Sequence, residues 1–284
     1  MGIVNVTPDS FSDGGRFLQA DAAIAHGLRL AAEGADILDV GGESTRPGAE
    51  PVSEREELDR VLPVIEGLAA ARGAGASPQI SIDTSKAAVA EAALAAGASL
   101  VNDVSALRGD ARMGALIAEH QADCCLMHMR GEPRTMQREP SYGDVVEEVG
   151  AFLRERLEHA LAEGIARERI MLDPGIGFGK AEAHNLELLD RLGELCALGA
   201  PILIGTSRKT FIGRVLARAR GDEQPVELDA RLSGTIATNV LAYERGASVF
   251  RVHEIAPIRD ALALAAATLG GRWTARSLGR TPTS

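Results

Sequence analysis

The sequence predicts an α/β fold, a (β/α)8 TIM barrel forming a single domain, and three observations carry that prediction. Short apolar runs rich in β-branched residues alternate along the chain with Ala/Leu/Glu-rich stretches of helical length. The passage from helix to strand is written the same way at Gly34-Ala35, Gly97-Ala98, Gly199-Ala200 and Gly246-Ala247. Glycine suits the left-handed position that stops a helix, and the β-branched residues that follow favour a strand. The chain has 284 residues, close to the ~250 of a closed eightfold barrel; a doubly wound open sheet is the alternative.

The elements follow in order. Strand 1 is Gly2–Val6, with a helix near 20–33 after a long loop. Strand 2 is Asp36–Val40, with a second long loop before a helix at 54–73. Strand 3, Gln79–Asp83, leads to a helix at 86–96, and strand 4, Ser99–Asp103, to one at 110–121. Strand 5 is Asp123–His128, followed by helix 144–164, and strand 6 is Arg169–Asp173, followed by helix 183–198. Strand 7, Pro201–Gly205, precedes helices at 209–219 and 229–245. Strand 8, Ser248–Val252, precedes a last helix at 256–270. Strands joined through helices are parallel. No linker or low-complexity tract divides the chain, so the barrel is expected over 1–271, with a polar tail at 272–284.

The formal charge is −10 and aromatics make up 3% of the residues, whereas nucleic-acid binding wants a basic face and stacking platforms. No apolar run reaches the ~18 residues of a membrane helix, and the start has no basic targeting region. A cytoplasmic protein is the expectation. Cys124, Cys125 and Cys196 form no C-x-x-C pair and no zinc spacing, so they read as free thiols. Of the 30 cationic residues only Lys86, Lys180 and Lys209 are lysines, and each follows an apolar run.

A barrel holds its active site at the C-terminal ends of its strands. The loops after strands 1 and 2, Asn5–Gly15 and Asp39–Gly48, exceed the ~2–6 residues usual there and are rich in Gly, Pro and hydroxyls, as substrate-covering loops are. Strands 3, 4 and 6 end in Asp83, Asn102 and Asp173. Each alone is a helix cap; together in one mouth they form an acceptor cluster suited to a flat heterocycle with several N–H groups. A buried carboxylate needs such donors. Strands 7 and 8 end in Ser207-Arg208-Lys209 and Arg251-Val252-His253, residues suited to an anion. His26, His120, His159 and His184 fall in helical stretches; Met127 is placed to pack against a ring, and His128 is ambiguous. Gly175–Lys180 lacks the spacing of either phosphate fingerprint, and there is no nucleophile elbow or zinc motif.

Asn5-Val6-Thr7-Pro8-Asp9-Ser10-Phe11-Ser12-Asp13-Gly14-Gly15 and Gly41-Gly42-Glu43-Ser44-Thr45-Arg46-Pro47-Gly48 resemble the two signatures of the bacterial dihydropteroate synthase family. Ser81–Thr84, Val101–Asp103, Asp173–Lys180, Ser207–Lys209 and Arg251–His253 continue the pattern in family order, so the resemblance runs from about residue 1 to 271. It implies a (β/α)8 homodimer of folate biosynthesis. Such an enzyme joins 4-aminobenzoate to 6-hydroxymethyl-7,8-dihydropterin diphosphate, giving 7,8-dihydropteroate and pyrophosphate with Mg²⁺.

By position the resemblance puts Asp83, Asn102, Asp173 and Lys209 on the pterin, with Met127 and Phe178 lining it. Asn5 faces the metal and diphosphate, and Arg251 and His253 bind the diphosphate. Phe11, Thr45, Arg46, Pro47, Phe178 and Ser207 shape the aminobenzoate site, and Thr7, Pro8, Asp9, Ser10 and Ser44 belong to the closing loops. The expected catalytic set is Asp83, Asp173, Lys209, Arg251 and His253, working by SN1-like substitution. Sulfonamides, which mimic aminobenzoate, are possible competitors. The resemblance departs at one point, for family members commonly carry a segment before strand 1. The alternatives are a pterin-binding methyltransferase-type barrel and a non-catalytic pterin-binding paralogue.

Overall fold

A computed structural model describes residues 1–6, 16–44, 50–72, 77–131, 136 and 140–269. Its strands are β1 (Gly2–Asn5), β2 (Ile37–Gly41), β3 (Gln79–Asp83), β4 (Leu100–Asp103), β5 (Asp123–Met127), β6 (Ile170–Asp173), β7 (Leu203–Ile204) and β8 (Val249–Phe250). The helices are α1 (Arg16–Ala32), α2 (Glu54–Ala70), α3 (Ala87–Ala95), α4 (Met113–Glu119), α5 (Val145–Ala162), α6 (Glu182–Asp190), α7 (Leu192–Cys196), α8 (Thr210–Arg220), α9 (Leu232–Glu244) and α10 (Ile255–Thr268).

All strand pairs are parallel. β1 to β6 pair in chain order, and β7 pairs with β8. Two bridges join these groups, Leu172 with Ile202 and Gly2 with Val252. Ile3 N–H donates to Val252 O at 3.0 Å and Val252 N–H to Met1 O at 2.9 Å, so the last strand returns to the first. The barrel is closed and the open-sheet alternative falls away.

Local signals set the element ends. Gly34, Gly97, Gly199 and Gly246 all have positive φ, from 78° to 115°, the left-handed turn that releases the chain from helix into strand. Ser53 caps α2 by accepting from Glu56 N–H, and Asp144 caps α5 by accepting from Val146 and Glu147 N–H. One expectation needs correction. The helix expected over 183–198 is interrupted at Arg191 (φ −97°, ψ 20°), leaving α6 and α7. That residue's side chain is held by Asp144, Glu187 and Glu194, each at 2.8 Å.

Alternation along the strands sorts the core into two bodies. Outward residues such as Val4, Leu38, Val40, Ile82, Val101, Leu126 and Leu172 pack with the helices in one large cluster. Inward residues Met1, Ile37, Leu100, Cys125, Met171 and Leu203, with Val249, form a second cluster that fills the lower barrel. The inward positions further along the same strands are polar, and the site is built from them.

Candidate active site

Register places the polar residues in tiers. Asp39 pairs with Ser81 across β2 and β3, and Gly41 with Asp83 one pleat higher. Asp83 is level with Asn102, and Met127 with Asp173. Asp83, Asn102 and Asp173 therefore share the upper interior. Asn102 and Asp173 are buried, and Asp83 is only slightly exposed. Asp103, beside Asn102, points outward. It accepts from Ser105 N–H and Oγ–H and from Leu107 N–H, holding the turn in which Ala106 and Leu107 have positive φ.

Burial sets the electrostatics. It pushes the Asp83 carboxyl above the usual carboxylate range, against the pull of Arg251. It pushes Asp173 up as well, against the pull of Lys209 and a 2.7 Å hydrogen bond from Gly175 N–H. The Lys209 ammonium is pushed down by the same desolvation, to about 8, with Asp173 opposing. It donates to Ile176 O and lies 4.4 Å from the centre of the Phe178 ring. Arg251 rises from β8 into the interior, where Nε donates to Asp39 Oδ2 at 2.6 Å and Nη2 to Asp83 Oδ2 at 2.8 Å. The guanidinium thus reaches the floor of the acceptor cluster, deeper than its place at a strand end suggests.

The β6–α6 loop is held from beneath. Lys180 is 2% exposed, and its ammonium donates to Gly175 O at 2.9 Å and Phe178 O at 3.0 Å, with His128 Nδ1 at 2.9 Å. Burial drives its pKa far down, and burial with Lys180 beside it takes His128 to about 2. His128 is therefore a neutral acceptor that orders the loop carrying Phe178. A Cβ on Gly175 would sit 1.9 Å from His128 O, and one on Gly179 2.2 Å from Arg130 O, so only glycine allows these backbones to meet.

The three lysines all stand at the C-terminal ends of strands, with different duties. Lys86 bridges Glu43, in the loop after β2, and the fully buried Glu57 of α2. Lys180 ties a loop, and Lys209 faces the acceptor cluster. At the ends of β7 and β8, Ser207 Oγ accepts His253 N–H at 3.2 Å and lies 2.9 Å from His253 Nδ1. The serine hydroxyl thus fixes both the backbone and the ring of His253 at this rim. Asn5 ends β1 and Ser44 stands at the edge of the described loop after β2. Thr7, Pro8, Asp9, Ser10, Phe11, Thr45, Arg46 and Pro47 lie outside the described residues.

The structure thus brings Asp83, Asn102, Met127, Asp173, Phe178, Lys209 and Arg251 to one mouth. Ser207 and His253 stand on its β7–β8 side. Asp39, read as the start of the loop after strand 2, and Ser81, read within the Ser81–Thr84 motif, were given no site role because they sit inside apolar strands rather than at their ends. The signal was present, since an aspartate amid Ile37-Leu38 and Val40 breaks an otherwise apolar run.

Comparison with known proteins decides the family. Residues 1–253 match the family described as pterin binding enzyme. The dihydropteroate synthase of Mycobacterium leprae is 47% identical over 270 residues, covering 95% of this chain and 93% of the relative. The chain belongs to the dihydropteroate synthase family.

Solved structures of that family superpose over nearly the whole barrel. The Xanthomonas albilineans synthase with 4-aminobenzoic acid has a TM-score of 0.85 at 48% identity, covering 95% of this chain and 92% of that one. The Yersinia pestis synthase in a sulfonamide drug complex has a TM-score of 0.85 at 43% identity, covering 94% and 93%. As a dihydropteroate synthase by family, the chain is a transferase of folate biosynthesis. No described helix is long and apolar enough to cross a membrane.

Proposed function

We propose that the barrel mouth joins 6-hydroxymethyl-7,8-dihydropterin diphosphate to 4-aminobenzoate by dissociative substitution, releasing pyrophosphate. The observation that carries this reading is the polar tier itself, with Asp83, Asn102 and Asp173 gathered beside Lys209 and Arg251 above an apolar floor. The edge of a pterin offers N–H donors to such acceptors, adding to the single bonds that Asp83 takes from Arg251 and Asp173 from Gly175. Met127 and Phe178 flank the ring, Phe178 held by Lys180 below and Lys209 above.

In the reaction the C–O bond between the pterin methylene and the diphosphate breaks first, and both electrons leave with the phosphate oxygen. The methylene left behind is electron-poor, and the Asp83 and Asp173 carboxylates lower the energy of that cation. His253, its ring held by Ser207, and Arg251 take the diphosphate charge. The aniline nitrogen then attacks and loses a proton to water, so no strong general base and no covalent enzyme intermediate are needed. Phe11, Thr45, Arg46, Pro47 and Ser207 are assigned to the aminobenzoate, and Thr7, Pro8, Asp9, Ser10 and Ser44 to loop closure.

The donor set suits Mg²⁺ bound with the substrate. No cluster of three His, Cys, Asp or Glu among the described residues makes a protein cage, and this ion usually takes one or two protein oxygens with phosphate and water. The Asn5 carboxamide at the end of β1 is such an oxygen. When bound, the ion supplies charge neutralisation to the departing diphosphate.

The same reading carries a cytoplasmic homodimer. The last helix, α10, divides its leucines, Leu262 being buried against the barrel while Leu264 is 70% exposed. Of these two, only Leu264 is open to a second subunit, and sedimentation of the purified protein tests the dimer.

Pyrophosphate release with the pterin diphosphate tests the activity. Turnover is expected only with 4-aminobenzoate and Mg²⁺ both present, and added sulfonamide should compete with 4-aminobenzoate. Pterin binding without turnover would sink the synthase reading in favour of a non-catalytic paralogue. A single-turnover rate that climbs steeply with aniline basicity would overturn the dissociative order.

A further inference from the structure

Asp39 is fully buried on β2, one pleat beneath the pterin acceptors. A carboxylate inside a barrel is tolerable only when donors surround it, and three do. Ser81 Oγ–H donates to Oδ1 at 2.6 Å, Asn102 Nδ2 donates to Oδ2 at 3.1 Å, and Arg251 Nε donates to Oδ2 at 2.6 Å. Both oxygens are engaged from within the protein, and the residue is fully buried.

The consequence for Asn102 is specific. A side-chain amide can show a partner either its oxygen or its NH2, and a carboxylate accepts only from the NH2. Asp39 therefore takes an Nδ2 hydrogen from one pleat below, which turns that edge of the amide toward the floor and the Oδ1 edge toward the mouth. The same carboxylate takes Arg251 Nε while Asp83 takes Nη2, and two bonds in one plane fix the guanidinium.

We propose that Asp39 is a positioning residue for the reaction: it selects the amide orientation in which Asn102 shows an acceptor to the pterin, and it sets the guanidinium of Arg251 beside it. This rests on the pterin diphosphate reading above. Asp39→Asn is the sharpest variant, because a neutral amide of the same shape can donate as well as accept and so no longer dictates which way Asn102 turns.

The expected kinetic result is a KM for the pterin diphosphate raised tenfold or more, with the KM for 4-aminobenzoate within twofold. In an Asn102→Ala background the same change should cost clearly less than in the wild type, since only the part carried by Arg251 remains. Equal effects on both substrates, or losses that simply multiply, would overturn the proposal.

A measurement on the unaltered protein stands beside it, in case Asp39→Asn fails to fold. In a 1H–15N spectrum of asparagine-labelled wild-type enzyme, the Asn102 NH2 signal, assigned by its loss in Asn102→Ala, should exchange slowly with water. It should also stay nearly still as pterin diphosphate is added without aminobenzoate. A large shift of that signal on binding would mean that the NH2 faces the pterin, which refutes the orientation claim. If no signal moves and no pterin binds, the functional reading itself has failed.

Discussion

The lower and upper halves of the barrel interior are made by the same strands and obey opposite rules. Below, Met1, Ile37, Leu100, Cys125, Met171 and Leu203 fill the space with apolar side chains. Above, Asp39, Asp83, Asn102 and Asp173 share one interior with Arg251 and Lys209. Burial stabilises the first group by removing apolar surface from water and opposes folding in the second by desolvating charge. The contrast teaches that a barrel strand divides labour along its length, stability at its start and chemistry at its end.

The largest effect expected from that division is on activity. Asp173→Asn should lower kcat/KM at least a hundredfold, about 2.7 kcal/mol at the rate-to-energy conversion of 1.36 per decade. Its melting temperature should stay level or rise. The sign follows from the raised pKa of Asp173: its charged form costs folding free energy, and that cost grows as pH rises above the ordinary carboxylate value. A marked fall in melting temperature would place Asp173 with the stabilising half.

Leu100→Ala should behave in the opposite way. Leu100 is fully buried in the lower cluster, and its truncation should cost ~2–5 kcal/mol in a urea titration. kcat per folded molecule should change less than threefold. A loss of activity without a loss of stability would break the comparison.

Glycines sharpen it at smaller scale. Gly175 and Gly199 both have positive φ, 66° and 78°, but a Cβ would strike His128 O at the first and meet nothing within 4 Å at the second. Gly175→Ala should displace the loop over Lys180 and cut kcat/KM about tenfold or more; Gly199→Ala should cost only ~1 kcal/mol and leave kcat/KM alone.

The smallest effect is a pH dependence in which the two halves diverge. Lys209 titrates near 8 because burial disfavours its charge. A lysine with a depressed folded pKa binds fewer protons than the unfolded chain between that value and its ordinary one, so its contribution to stability improves as pH rises through this window. kcat/KM should fall over the same range as the cation is lost, and Lys209→Arg should move that alkaline limb upward. Parallel pH–rate and pH–melting profiles check both signs.

Much of this was legible in the residues. Short apolar runs located every strand, and Gly-Ala junctions marked the approach to β2, β4, β7 and β8, because a glycine in the left-handed region marks where a helix must release the chain. The strand-end position of Asp83, Asn102, Asp173, Ser207, Lys209 and His253 marked the mouth, because a closed barrel collects those ends on one rim. Other features were not legible. At the break, Arg191 reaches Asp144, the cap of α5 and distant in sequence, as well as its neighbours Glu187 and Glu194, and no glycine or proline stands at the break itself. Lys180 stood out as a rare lysine at the end of the Asp173–Lys180 motif but without a role, because its acceptors come from its own loop and from His128, at the end of β5.

Local chemistry therefore settled by itself which stretches are strands and helices, which residues end the strands, and which family the motifs resemble. Tertiary structure alone decided that β8 returns to β1 and that Arg251 turns inward to Asp39 and Asp83. It also decided that Asn102 hands its NH2 to a carboxylate far from it in sequence. The physical reason is range. Propensity and capping act within a few residues, whereas a buried charge is solvated by whichever donors the closed barrel brings within hydrogen-bond distance.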